Sequence, residues 1–74
     1  MRLLYLQTMQ IILNKRLEII PDKISIKDLL EFFNINSKYM AVEVNNSIVP
    51  KSEYSNFSLE ENDKVEIINA VGGG

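Results

Sequence analysis

Cysteine, histidine and tryptophan are absent from this 74-residue chain, and its only three glycines are its last three residues. Without cysteine there is neither a disulfide nor a thiolate metal site. Without histidine the usual general base and the commonest metal ligand are missing. Self-contained nucleophilic catalysis is therefore not expected, and no cofactor site is indicated; the carboxylates that remain form no convincing pair. Apolar runs are short. The opening "MRLLYLQTMQIIL" resembles a signal peptide in having Arg2 and apolar residues, but Gln7, Thr8 and Gln10 break it and no small-residue cleavage site follows. Nothing approaches the ~20 apolar residues of a membrane span. A basic stripe is lacking too, since eight basic and ten acidic residues give a net charge of −2, which argues against a nucleic-acid partner. The expected location is the cytoplasm or the stroma of an organelle.

What is present suits one small domain. A chain of this length buries only about 60% of its unfolded surface, so its core must be simple. In "MQIILNKRLEII" two apolar runs flank Asn14 and Lys15. Asn tolerates positive φ, so Gln10–Leu13 and Arg16–Ile20 read as paired strands ended by Pro21. The period then changes. "SIKDLLEFF" places Ile26, Leu29, Leu30 and Phe33 on one helical face, with Ser25 as N-cap and Asn34 and Asn36 as stop signals. In "YMAVEVNNSIVP" the period returns to two, with Met40, Val42 and Val44 inward and Ala41 and Glu43 outward. Asn45–Asn46 makes a second tight turn into a short strand that stops at Pro50. Tyr54, Phe57 and Leu59 read as core plugs within a polar connection. "KVEII" is a last strand with Val65 and Ile67 inward and Glu66 and Ile68 outward.

The order ββαβββ predicts an α+β fold, a mixed sheet packed on one helix, matching the β-grasp or ubiquitin-like architecture. In that architecture the last strand is central and parallel to the first. The expected organisation is an N-terminal extension over 1–8, a β-grasp domain over 9–70 and a flexible Gly-rich tail over 71–74. The extension has three readings: an upstream start, a longer first strand, or a disordered arm. By composition alone, three terminal glycines read as a frayed end.

Three segments change that reading. "MQIILN" at 9–14, "AVEVNNSIVPKSEY" at 41–54 and "NDKVEIINAVGGG" at 62–74 occur in order and at the spacing of the ThiS family. The chain resembles these ubiquitin-like sulfur carriers of thiamine thiazole biosynthesis from Met9 to Gly74. It departs from them in having Tyr54 where the family usually has Trp, and Asn46 and Asn62 where it favours Gly. Each change keeps the local physics, an aromatic plug in one case and a residue tolerant of positive φ in the others.

The resemblance implies that the chain is a co-substrate and not an enzyme. A ThiF-type adenylating enzyme would activate the Gly74 carboxylate with ATP. A persulfide donor would convert it to a thiocarboxylate, and thiazole synthase (ThiG) would take the sulfur. No resident cofactor is implied. Gly72 and Gly73 would thread a narrow channel, because a residue without Cβ passes where others clash. Extended chain covers ~3.3 Å per residue, so Val71–Gly74 would reach roughly 13 Å beyond the sheet. For docking, Ile12, Ala41 and Ile68 are expected to sit close together, continued by Ala70 and Val71 and flanked by Glu43 and Glu66. The alternative is that Ile12 and Ile68 are ordinary scattered surface apolars. Two other functions remain open: the small subunit of molybdopterin synthase, whose ending usually carries prolines that "IINAVGGG" lacks, and a ubiquitin-like protein modifier. A plain interaction module with an unreactive tail is a third.

Overall fold

The structure is a computed structural model that describes residues 7–36, 38 and 40–69. Its elements among the described residues include β1 (Thr8–Leu13), β2 (Arg16–Pro21), α1 (Ile26–Phe32), β3 (Met40–Val44), β4 (Ser47–Val49), a 3₁₀ turn (Lys51–Glu53) and β5 (Lys64–Asn69). The sheet order is β2-β1-β5-β3-β4. Strand β5 is central, parallel to β1 and antiparallel to β3. This is the expected β-grasp. Strand ends differ slightly from the sequence reading: Thr8 pairs with Pro21 inside the β1–β2 ladder, so at residue 8 the first strand is longer than Gln10–Leu13.

Asparagine takes over the positions where many chains place glycine. Asn14 and Lys15 (φ 48° and 69°) and Asn45 and Asn46 (φ 52° and 73°) make the two hairpin turns with both central residues left-handed. Asn62 (φ 68°) turns the chain into β5, and Asn34 (φ 58°) closes the helix. At that helix end the Asn34 amide donates to the Glu31 carbonyl at 3.0 Å and the Ile35 amide to that of Leu30 at 2.8 Å. The paired bonds make a Schellman motif with asparagine in the glycine position.

The helix start is satisfied just as fully. Ser25 Oγ accepts from the Asp28 amide at 3.0 Å, as its N-cap reading predicts. The amides of Ile26 and Lys27 donate to the Phe57 and Tyr54 carbonyls at 3.0 and 3.1 Å. The long connection therefore closes two donors that a helix start leaves open. A seven-residue helix has little stability of its own, and its buried face holds it: Ile26, Leu29 and Leu30 pack into one cluster with Met9, Ile11, Leu13, Ile20, Val42, Val44, Val49, Tyr54, Leu59 and Val65. Phe33, Phe57 and Ile67 pack against its border. Fully burying such side chains contributes about 1.5–3 kcal/mol each.

Candidate functional site

The candidate site lies at the C-terminal end of β5, which runs through the middle of the sheet and pairs Asn69 with Met40. On the outer face, away from the helix, Ala41 is the register partner of Ile68 and Glu43 of Glu66. Ile68 is 41% exposed, while Ala41, Glu43 and Glu66 are half-buried. Two carboxylates directly opposed on one face repel each other, so this arrangement weakens the sheet locally. Beside it the Ala41–Ile68 pair gives an apolar contact next to Asn69, the last described residue of β5.

Ile12 does not join that pair. The β1–β5 ladder sets Ile12 opposite Lys64 and Leu13 opposite Val65. Ile68 is four residues further along β5, about 13 Å at strand rise. The expected cluster of Ile12, Ala41 and Ile68 is thus split by register. Ile12 instead faces Leu17 across the β1–β2 ladder, with Ile19 next along β2. Leu17 and Ile19 are exposed apolar residues that the sequence reading assigned to a strand without assigning a face. Ala70, Val71, Gly72, Gly73 and Gly74 lie outside the described residues, as do Met1–Leu6.

Position of the β5 end is fixed by side chains as well as by the ladder. The Asn14 amide donates to the Val65 carbonyl at 2.9 Å, and Asn14 Oδ1 accepts from the Ile67 amide at 2.8 Å. At the other end of β5, Asn45 Oδ1 accepts from the Lys64 amide and Asn45 Nδ2 donates to Asp63, both at 2.9 Å. Carboxylates before β5 are occupied locally: Glu60 pairs with Lys23 at 3.3 Å, and Asp63 Oδ2 accepts from the Glu60 amide. They act as a pinned turn. A groove of about 410 Å³, lined by Val44, Val49, Phe57, Glu60 and Asp63 among others, opens at this end, remote from Asn69.

Tyr54 completes the support beneath the face. Burial raises its phenol pKa above the usual 10.0, offset in part by a hydrogen bond with the Val42 backbone. It braces the strand that carries Ala41 and Glu43.

A helix packed on one face of a mixed sheet ordered β2-β1-β5-β3-β4, with β5 central and parallel to β1, defines the β-grasp class. Within that class the chain belongs to the ThiS family, whose model matches residues 3–74. The match begins ahead of Met9 and includes most of the expected extension. Sulfur carrier protein ThiS of Bacillus subtilis is 38% identical over 50 residues, covering 68% of this chain and 76% of that protein. A thiazole synthase of Paramagnetospirillum magneticum is 33% identical over 66 residues, 89% of this chain but 20% of that longer protein. The crystal structure of the thiamine biosynthesis protein ThiS from Geobacter metallireducens superposes with a TM-score of 0.81. It covers 89% of this chain and all of that one, at 20% identity, and so supports the fold alone.

Proposed function

We propose that this chain carries sulfur for thiamine thiazole formation as a thiocarboxylate on Gly74. The observation that carries the reading is a family match running through "NAVGGG" to residue 74, on a β-grasp whose central strand leads into that segment. A carboxylate resists nucleophilic attack because its charge is delocalised and its leaving group would be oxide. A ThiF-type adenylating enzyme transfers AMP from ATP to it and releases pyrophosphate. The terminal sulfur of a donor persulfide then attacks the acyl carbon and AMP departs. A thiol takes the donor's sulfur, which frees the thiocarboxylate.

The chain's own residues bind and position in this scheme. Ala41 and Ile68 supply the apolar contact for docking, Ala70 and Val71 continue it, and Glu43 and Glu66 orient a basic partner surface. Gly72 and Gly73 let the terminus enter a closed active site. The sulfur acceptor is of thiazole synthase type, a reading supported by the thiazole synthase of which one fifth resembles this chain. ATP-dependent activation places these steps in an aqueous compartment, the cytoplasm or an organelle stroma. Removing Gly73 and Gly74 tests the reading: thiazole formation is lost while the fold persists. Retained formation would refute it.

A further inference from the structure

Strand β2 is an outer strand of the sheet, and its open edge has the chemistry of a pairing surface. The amides of Ile12 and Asn14 donate toward the β5 side, to Asp63 and Val65, both at 2.9 Å. The alternate residues Met9, Ile11 and Leu13 therefore face β2, where they meet Ile20, Glu18 and Arg16. It follows that Leu17 and Ile19 turn their N–H and C=O groups away from β1, to the open edge. Pro21 falls on the same side, where its missing N–H breaks no bond to β1, and it ends the usable stretch. The side chains of Leu17 and Ile19 are 61% and 56% exposed. Among the described residues, β2 pairs with β1 alone.

We propose that a second copy of this chain adds to β2, antiparallel about a two-fold axis at Leu17. Directly opposed residues on an antiparallel edge share a face, so the possible two-fold registers are few. An axis at Arg16 opposes two arginines, and one at Glu18 opposes two glutamates. An axis at Ile19 brings Pro21, with no N–H to give, into the ladder opposite Leu17. The axis at Leu17 pairs Arg16 with the partner's Glu18 twice over and joins the two Leu17 residues through their backbones. The β2 edge is thus self-complementary in one register. In the resulting ten-stranded sheet the two β5 strands run toward opposite ends, and the Ala41–Ile68 pair lies well inside each copy. The dimer stands whether or not the chain carries sulfur.

The contact is small, so a dissociation constant of about 0.1–1 mM is expected. Sedimentation equilibrium of the full chain tests it. The wild type should show a monomer–dimer equilibrium. Arg16→Glu and Glu18→Arg should each weaken it about tenfold, since two attractive pairs become repulsive. The double exchange should restore it. Thermal melts verify that each variant folds, and amide exchange at Leu17 in the wild type should slow as concentration rises. A chain monomeric at millimolar concentration overturns the proposal, as does a dimer indifferent to both single changes or an Leu17 amide indifferent to concentration. Tightening by Glu18→Gln would overturn the Leu17 register in favour of one centred on Glu18.

Discussion

The side-chain oxygen of Asn14 accepts a hydrogen bond from the Ile67 amide at 2.8 Å, although the β1–β5 ladder has already ended at Leu13 and Val65. One asparagine therefore does two things: it takes a left-handed conformation in the first hairpin turn and extends the hold on β5 by two residues. Asn14→Gly keeps the turn and removes the side-chain bond. It should cost about 1 kcal/mol and speed amide exchange at Ile67 more than at Val65. Uniform acceleration along β5 would contradict the local role.

Among the described residues, Lys15 and Lys23 are the two non-asparagine residues at positive φ, 69° and 54°. Left-handed backbone costs a residue with a Cβ roughly 1–2 kcal/mol, and glycine recovers part of that while loosening the unfolded chain. Lys15→Gly should stabilise the protein by up to about 1 kcal/mol, a rise in melting temperature of a few degrees for a domain of this size. Calorimetry checks it, and a lower melting temperature would contradict it.

Tyr54 makes stability fall in alkali. Its folded pKa lies above the ordinary 10.0, chiefly through burial, so its contribution is complete below pH 10 and is lost as pH rises through the raised value. Tyr54→Phe should be less stable than wild type by about 1 kcal/mol at pH 7, with the difference shrinking above pH 10. Denaturant titrations at several pH values measure it; a gap that widened above pH 10 would contradict the sign.

Glu43 and Glu66 oppose each other on the strip proposed for docking. Glu66→Gln should stabilise the fold by about 0.2–1 kcal/mol while slowing association with the adenylating enzyme, the effect fading at high salt. Ile68→Ser, at an exposed position, should leave the melting temperature nearly unchanged and raise the enzyme's KM for the carrier about tenfold. An unchanged KM would remove Ile68 from the docking surface.

Most of the fold is legible in the sequence because its signals are local. Ile26, Leu29, Leu30 and Phe33 carry helical spacing, Ser25 is positioned to cap, and paired asparagines mark turns where glycine is missing. The inward and outward alternation of β3 and β5 reads directly from "MAVEV" and "KVEII". What escaped is what only pairing decides. Parallel register between β1 and β5 is set by contacts more than fifty residues apart, and no local pattern reveals that Ile12 meets Lys64 and not Ile68. The faces of Leu17 and Ile19 escaped for a related reason: in "RLEII" one face carries Leu17 and Ile19 and the other Arg16, Glu18 and Ile20, so hydropathy alone would turn the odd-numbered pair inward, and only the packing of Ile20 against the helix turns it outward. The closure of the helix start by Tyr54 and Phe57 carbonyls likewise belongs to the folded chain.

The most direct measurement is the intact mass of the chain after incubation with ATP, a ThiF-type enzyme and a persulfide donor. A sulfur carrier gains the mass of one oxygen-to-sulfur exchange, confined to the peptide ending at Gly74. An unchanged mass beside an enzyme shown to be active on an established carrier would contradict it.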